Sequence, residues 1–411
     1  MSFVVVPHPI GMIPKNEVEA KIDAAFDGII KAALEWKPNK ENAPQQLPAY
    51  PAKTFKFTGT YAEVNSLFTK RNWSLSLPIV PPTFDKVQEM LKGTTRDPSE
   101  VVWVVPPRQG MLTVELVATL GVMAGARPEH MPLLLAAVEA MADPDAAWRG
   151  TSTTTAPTVP IFILSGPVID LFKLNSGTGT AGAENAVTNA LGYFVNLVGD
   201  VVGGSVPPNG DKSTHGTSAD IVAMVFCENA KANPWKTTFA EMRGFKPTDS
   251  VISLATCYIG SSNIDHDNAT GEGLLTTLAL NFVSTNAGNA RCLTDFNKQG
   301  VTGNEMPFSL IILAPEHANT IWRDFPKIED AQKFLVDNAV MPYKYYGKGK
   351  CNPPASFGKV TPDTLIPRFV SPESAMIIVS GGPGKQSQVW PPFPQVWKPV
   401  SKIIKDLPEA K

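Results

Sequence analysis

The sequence has few cysteines, few charged residues and no excess of positive charge. Its four cysteines lie far apart in 411 residues and form no C-x-x-C pair. This spacing excludes a disulfide framework and argues against a structural zinc site. Charged residues make up 18% of the chain and the formal net charge is −2. A chain of this charge lacks the extended basic surface that binding along a nucleic acid requires, so we expect no nucleic-acid partner.

Long apolar runs are also missing. No stretch approaches the roughly 18 uncharged apolar residues that a membrane-spanning helix needs. The opening "MSFVVVPHPIG" has no basic leader, so it does not have the pattern of a signal peptide. We therefore expect a cytoplasmic protein with reduced thiols and no membrane partner.

What the sequence does contain is a series of apolar runs that end abruptly in proline, small residues or a polar pair. They read "VVWVVPPRQG", "IFILSGP", "IVAMVFCEN", "VISLATCYIG", "SLIILAPEH" and "AMIIVSGGPGK". Continuous apolar runs are typical of strands buried on both faces, and helical patterns such as "PLLLAAVEAMA" lie between them. The alternation predicts an α/β fold with mixed or mostly parallel sheets flanked by helices, or two similar α/β lobes.

Composition also suggests boundaries along the chain. Residues 1–36 read as a strand–helix unit, and residues 37–83 as a proline-rich linker or arm. Residues 84–385 contain the alternating pattern and form the predicted main α/β region. Residues 386–411 are expected to pack along its surface as a tail.

The stretch "NSGTGTAGAENA" contains a formal G-x-G-x-x-G at Gly177, Gly179 and Gly182. A dinucleotide fold needs a buried strand directly before this motif, but the preceding "LFKLNS" is polar, so we do not expect NAD(P). A loop of small residues leading into a helix favours an anion such as a carboxylate or phosphate. The alternative is a tight loop that only caps the helix. The predicted substrate-binding residues here are Asn175, Ser176, Gly177, Thr178 and Gly179.

Other polar residues follow the apolar runs directly. Arg108 has the geometry to bind a carboxylate, although it also suits a surface turn. Glu228 is a candidate general base and Asn229 a substrate contact, although both residue types also cap turns. His215 lies in a polar stretch and is expected to face a cleft or solvent. "SGGPGK", from Ser380, is a second glycine turn suited to an anion, without the spacing of a P-loop.

The densest group of reactive residues is "ATCYIGSSNIDHDNATGEGLL". Cys257 is a candidate nucleophile, with Asp265 and His266 as the acid/base pair. His266 with Asp265 and Glu228 is alternatively a set of ligands for a divalent metal. The third interpretation is a buried structural cysteine followed by a hydrophilic loop.

Several of these segments resemble a poorly characterised bacterial family whose members are fused to, or found beside, small UGSC-type (seleno)proteins. The resemblance rests on "EVVWVVPPRQGMLTVELVATLGVMAGARPEHMPLLLAAVEAM", "SGPVIDLFKLNSGTGTAG", "FCENAKANPW", "NIDHDNATGEGLLTT" and "LAPEHANTIWRDF", and spans about residues 84–385. The opening "VVVPHPIGMIPKNEVEAKIDAAF" resembles the closing strand and helix of a UGSC-like domain. Matching positions give weight to Arg108, Asn175, Ser176, Gly177, Glu228, Asn229, Asp265, His266, Glu316 and His317.

The chain departs from that family in two places. It contains no UGSC or CGSC tetrapeptide, and Ala126 stands in "AGARPEH" where the family has a cysteine. The resemblance therefore implies a separate UGSC-type redox partner subunit and a homo- or hetero-oligomer. It supplies no mechanism.

These patterns lead to two hypotheses. The first is an enzyme, of lyase or hydrolase type, that acts on a small polar or anionic organic substrate by acid/base or metal-assisted chemistry at strand-end loops. The second is a scaffold, or large subunit, of a thiol-redox complex with a UGSC-type partner. A nucleotide-dependent oxidoreductase would need the glycine loop to hold a cofactor.

Overall fold

The computed structural model of the protein describes residues 4–7, 10, 13–35, 47–207, 214–285, 308–345, 359–369, 371–393, 396 and 398–409. Two compact units can be distinguished, residues 1–47 and residues 48–411. No helix in the described ranges is long and apolar enough to cross a membrane.

The first unit contains one long helix, α1 (Lys15–Glu35), none of whose residues is buried. Its exposed apolar side chains are Ile22, Phe26, Ile29, Ile30 and Leu34. The strand predicted before the helix is absent from residues 4–7, which form no regular structure. The helix therefore has an apolar side that nothing within its own unit buries.

The second unit alternates strands and helices, as predicted for an α/β fold. Its helices are α2 (Tyr61–Lys70), α3 (Phe84–Leu91), α4 (Val114–Met123), α5 (Met131–Ala142), α6 (Trp148–Thr153), α7 (Val168–Leu171), α8 (Ala186–Leu197), α9 (Phe239–Met242), α10 (Gly271–Thr285), α11 (Pro315–Asp324) and α12 (Ile328–Asn338). Its strands are β1 (Val101–Val105), β2 (Gly110–Thr113), β3 (Thr158–Ser165), β4 (Met224–Cys227), β5 (Val251–Tyr258), β6 (Ser261–Ile264), β7 (Ser309–Leu313), β8 (Val340–Pro342), β9 (Leu365–Pro367), β10 (Ala375–Val379), β11 (Gln386–Trp390) and β12 (Val400–Ile403).

Two four-stranded sheets form the centre of this unit, and both are mixed. The first sheet has the order β12-β5-β3-β4 and the second has the order β10-β7-β11-β6. In each sheet one pair is parallel, β3 with β4 and β7 with β10, and the remaining neighbours are antiparallel. The prediction of a mixed α/β architecture is confirmed.

Alternation of side chains along the strands produces a four-layer arrangement of helix, sheet, sheet and helix. Phe162 and Leu164 of β3 join a core with α4, α5 and α8. Ile161 and Ile163 lie on the opposite face of β3 and pack against Leu310, Ile312 and other residues of the second sheet. The outer face of the second sheet packs on α10, α11 and α12. Both faces of each sheet are buried, which explains the continuous apolar runs.

The two sheets exchange their outermost strands. After β5 of the first sheet the chain continues into β6, which pairs with β11 of the second sheet. After β11 the chain continues into β12, which returns to pair with β5. The sheets therefore share the same pattern of strand pairing. The outermost strand of each sheet, β12 or β6, directly follows a strand of the other sheet along the chain.

Two of the predicted boundaries differ from the structure. Residues 386–411 were expected as a surface tail, but they supply β11 and β12. The alternating pattern in this range is too short to distinguish a strand from a tail by sequence. Residues 61–70, within the predicted linker, form α2, which begins in a capping box between Thr60 and Glu63. Residues 37–46 of that linker lie outside the described residues.

Candidate functional site

The carboxyl ends of the two parallel strand pairs meet where β4 and β10 adjoin. Glu228 and Ser380, each directly after its strand, form an isolated antiparallel bridge. Ser380 Oγ donates to the carbonyl of Cys227 at 2.7 Å, and Asn229 N donates to the carbonyl of Val379 at 2.8 Å. Strand ends of this kind collect ligands in α/β proteins. We call Glu228, the loop Asn175–Gly179 and the loop Ser380–Lys385 the bridge site.

Glu228 is the one buried carboxyl group of the bridge site and is only 2% exposed. Its Oε1 accepts a hydrogen bond from Phe239 N at 2.8 Å, at the start of α9, whereas its Oε2 has no partner among the described residues. Burial raises the pKa of Glu228 to about 7, although the Phe239 N–H and the nearby Ser165 hydroxyl lower it in part. Oε1 therefore has the predicted capping role, and Oε2 can take up and release a proton near neutral pH.

Ser165, at the end of β3, lies beside this carboxyl group and was not singled out by the sequence. It is 1% exposed, and its Oγ makes no hydrogen bond to a described residue. The hydroxyl influences the pKa of Glu228 but lies outside good hydrogen-bond geometry with Oε2. Two adjacent buried polar atoms without partners are unfavourable unless a ligand or water joins them. The only sequence signal was the position of Ser165 at the end of "IFILSGP".

The loop Asn175–Gly179 is held in place by its own side chains. Asn175 Oδ1 accepts from Gly177 N at 2.9 Å, and Asn175 Nδ2 donates to the carbonyl of Thr178 at 2.7 Å. The amide of Asn175, predicted as a ligand donor, is thus used within the loop. Along the described chain, the N–H groups of Thr178 and Gly179 have no acceptor, so these two remain available to an anion.

The two loops of the bridge site are in direct contact. Gly381 N donates to the carbonyl of Ser176 at 2.9 Å, and Asn229 Nδ2 donates to the carbonyl of Gly381 at 3.0 Å. A Cβ added at Gly382 would overlap Thr178 Oγ1 and lie 2.8 Å from Thr178 N. Glycine is therefore required at position 382 by the close approach of the two loops.

The helix after the glycine loop begins later than the motif suggested. We expected it directly after Gly182, but residues 180–185 form turns and α8 starts at Ala186. The positive end of α8 is consequently displaced from Gly177 and Gly179, so any anion there depends on N–H groups and cations rather than on the helix dipole. The cation of the bridge site is Lys385, the last residue of the loop Ser380–Lys385.

Asp265 and His266 reach the bridge site through Lys385. Asp265 N donates to the carbonyl of Lys385 at 3.3 Å, and Lys385 Nζ donates to the carbonyl of His266 at 2.9 Å. Burial raises the pKa of Asp265, but hydrogen bonds from Asn268 and Thr277 outweigh burial and hold it below its ordinary value. Asp265 is therefore a fixed carboxylate, whereas the side chain of His266 is exposed.

His317 supports Asp265 from behind and is itself 2% exposed. Its Nε2 lies 3.0 Å from the carbonyl of Asp265, and its Nδ1 lies 2.8 Å from Ser387 Oγ. A carbonyl can only accept, so the hydrogen is assigned to Nε2, and Ser387 then donates to Nδ1. Through these two contacts His317 positions the Asp265 turn. Its neighbour Glu316 is exposed on the first turn of α11.

The metal interpretation finds no ligand set. Within the part of the chain that the structure describes, no group of three or more His, Cys, Asp or Glu side chains is placed to hold a metal ion. Asp265 and His266 contact Lys385, at one end of the Ser380–Lys385 loop, whereas Glu228 pairs with Ser380, at the other end.

Three predicted residues lie elsewhere. Arg108 was expected at the edge of the main sheet but lies in the turn of the separate β1–β2 hairpin, where its side chain packs against Gly204. His215 lines a cleft of about 430 Å³. Cys257, predicted either as a nucleophile or as a buried structural cysteine, is fully buried in the core between the sheets. A thiol without access to solvent is placed as a structural cysteine.

No protein-family model, curated protein or solved structure matches this chain. The chemistry of the bridge site is therefore argued from its geometry: one buried carboxyl group with a raised pKa, free N–H groups in the loop Asn175–Gly179, and a lysine at the far end of the loop that contacts it.

Proposed function

We propose that the bridge site is the active site of an enzyme that performs acid/base chemistry on a small anionic organic substrate. The observation that carries this proposal is Glu228, whose carboxyl group is buried, has one oxygen without a partner and has a pKa raised to about 7. A carboxyl group with this pKa changes protonation state at physiological pH, as a general base or acid must.

The loops that flank Glu228 give the substrate its class. The N–H groups of Thr178 and Gly179 have no acceptor along the described chain, and Lys385 stands at the other end of the adjacent loop. Free N–H groups next to a cation favour a carboxylate or phosphate. In this proposal the loops bind the anionic group, Glu228 removes a proton from the substrate, and the exposed His266 is the second proton-transfer group.

Proton transfer can be tested without knowing the product. The protein is incubated in D₂O with a mixture of small hydroxy-, keto- and amino-carboxylates, and loss of their C–H signals is followed by proton NMR. If Glu228 removes a proton from a substrate carbon, that proton exchanges with D₂O, and Glu228 then donates a deuteron back to the same carbon. We expect at least one compound to exchange, faster at pH 8 than at pH 6, because the carboxylate form is populated above a pKa of about 7.

Two variants separate catalysis from folding. Glu228→Gln keeps the acceptor for Phe239 N but cannot take a proton, and it is expected to lower exchange by about 10²–10⁴-fold. Glu329→Gln makes the same change of charge at an exposed position of α12 that belongs to no predicted site, and is expected to leave exchange unchanged. Exchange that is equally fast in Glu228→Gln would overturn the assignment of the base.

A second candidate function is a binding subunit for a UGSC-type redox partner, and α1 is the observation that favours it. None of the 21 residues of α1 is buried, and its apolar side chains are exposed. Native mass spectrometry with a purified UGSC-type thiol protein tests this directly. A complex that forms with the intact protein and is lost on Phe26→Asp would support a binding role, and an absence of complex would reject it.

A further inference from the structure

Residues 53–59 form an exposed segment without regular secondary structure, and no other part of the described chain pairs with its backbone. It runs without a turn or bend between Ala52 and α2. Both ends are fixed, since Ala52 N donates to the two carboxylate oxygens of Glu115 at 3.2 and 3.0 Å and Thr60 caps α2. Between these anchors the backbone N–H and C=O groups make no hydrogen bond to any described residue. We call residues 53–59 the edge segment.

The edge segment reads "KTFKFTG" and contains two lysines, two phenylalanines and two threonines, and all of its residues are exposed. Phe55 is 57% exposed and Phe57 is 44% exposed, with Lys56 between them and Lys53 before them. Phe55 contacts Trp73 with ring centroids 5.7 Å apart, which backs the segment on one side. Neither lysine has an ion-pair partner in the described ranges.

More positive charge lies next to the edge segment. Arg71 stacks over the ring of Trp73 at 5.3 Å, and the exposed Lys70 precedes it on α2. The nearest acidic group on α2, Glu63, is engaged in the capping box with Thr60. A chain with a formal net charge of −2 thus carries two lysines on the edge segment and two further cations, Lys70 and Arg71, just before Trp73, the ring that Phe55 contacts.

We propose that the edge segment is a docking site at which an extended acidic peptide segment of a partner protein adds as a strand. The free backbone groups supply the ladder of hydrogen bonds that binds a peptide by strand addition. Lys53, Lys56, Lys70 and Arg71 select glutamate or aspartate side chains on that peptide, and Phe55 and Phe57 pack against its apolar residues. This site is separate from the bridge site and does not depend on the proposed enzymatic function.

The competing explanation gives the lysines a purely protective role. Exposed edges invite aggregation, and lysine on an edge is a common means of preventing it. A protective edge binds no peptide, whereas a docking edge binds one of complementary charge. The two explanations therefore predict different results with a defined probe.

The probe is a fluorescein-labelled peptide of twelve residues that alternates glutamate and valine, and its binding to the full-length protein is followed by fluorescence anisotropy. We expect saturable binding that weakens as salt rises, and at least about tenfold weaker binding to the double variant Lys53→Glu, Lys56→Glu. The matched control exchanges two exposed lysines elsewhere, Lys246→Glu and Lys405→Glu, and is expected to bind like the original protein.

Amide hydrogen exchange locates the contact. Addition of the peptide is expected to slow the exchange of amides within residues 53–59, because they become donors in a ladder. Three results would overturn the proposal: no binding of the glutamate–valine peptide, equal binding of a lysine–valine peptide, or tighter binding of a thymidine oligonucleotide or of anionic phospholipid vesicles than of the peptide.

Discussion

The first and second sheets repeat one pattern of strand pairing, but different residues follow their parallel strands. In the first sheet the parallel pair is followed by Ser165 and Glu228, which are buried and have polar atoms without partners. In the second sheet the positions with the same backbone hydrogen bonds hold Ala314 and Ser380. Ser380 Oγ is satisfied by the carbonyl of Cys227, and alanine has no polar side chain. The same pattern of strand pairing thus leaves buried polar atoms without partners in the first sheet and a satisfied hydrogen bond in the second.

The loops that follow the first strand of each pair differ in the same sense. After β3 the chain makes only the short α7 and then the turns that hold Asn175–Gly179. After β7 it enters α11 directly, with Pro315 as its first residue. An irregular loop leaves N–H groups free, and a helix uses them. Features that satisfy their own polar groups stabilise a protein, and features that do not are candidates for binding.

The largest expected effect on stability comes from removing β12, the strand that follows the second sheet along the chain and pairs with β5 of the first sheet. Truncation after residue 397 deletes β12, with the buried Val400 and Ile404 and the contact of Lys402 with Asp143 at 2.7 Å. Burial of two such apolar side chains contributes about 3–6 kcal/mol, a large share of a typical stability of roughly 5–15 kcal/mol. We expect urea denaturation to show no cooperative unfolding.

Removal of Ala410 and Lys411 alone is the control for this truncation. It shortens the chain but leaves β12 intact and should keep the original midpoint. A truncated protein with an unchanged midpoint would show that the returning strand is dispensable, and that the first sheet is complete without it.

The second prediction concerns the free energy of unfolding as a function of pH. The pKa of Glu228 is raised from 4.5 to about 7 in the folded protein. Between these values the folded protein holds a proton that the unfolded chain has released, so stability falls as pH rises through this window. At pH 8 the accumulated cost is about 3 kcal/mol. Glu228→Gln should therefore be more stable than the original protein at pH 8 by up to that amount, and similar to it at pH 4.

Urea denaturation at pH 4, 6 and 8 measures this difference. Glu316→Gln, in the second half of the molecule, removes an exposed carboxyl group and should show the pH dependence of the original protein. If Glu228→Gln also shows that dependence, the buried carboxyl group is not the one that titrates.

The smallest expected effect separates the two serines at the strand ends. Ser380→Ala removes the hydrogen bond to the carbonyl of Cys227 and should lower the free energy of unfolding by about 1 kcal/mol. Ser165→Ala removes a buried hydroxyl without a partner and should leave stability unchanged or slightly higher. Thermal unfolding of both variants under identical conditions is sufficient. Equal losses would mean that Ser165 is satisfied in solution.

Sequence patterns predicted the mixed α/β architecture of the second unit, because burial on both faces of a strand leaves continuous apolar runs such as "VISLATCYIG". They also predicted that the loops after β3, β4 and β10 hold polar residues suited to a site. They did not predict the exchange of β6 and β12, since the pairing of short strands depends on contacts between residues far apart in the chain. Ser165 was missed for a related reason: its importance comes from the neighbouring strand, not from its own surroundings in the sequence.

Strand pairing and packing also placed two of the predicted residues away from the site. Arg108 follows an apolar run, but that run forms a hairpin with the next segment instead of joining the main sheet. Cys257 stands near the end of β5, yet the face of the strand on which it lies packs against the other sheet. A position near the end of a strand does not reveal which face of the strand meets solvent.

The exchanged strands also set an order of events during synthesis. β5 pairs with β12 between Leu254 and Val400, so this edge of the first sheet stays open until β12 has been synthesised. Contacts between such distant residues form slowly, and an open edge exposes an apolar strand to other nascent chains. The protein should therefore be most prone to misassembly before β12 has been made, and the two sheets depend on each other once β12 is paired with β5.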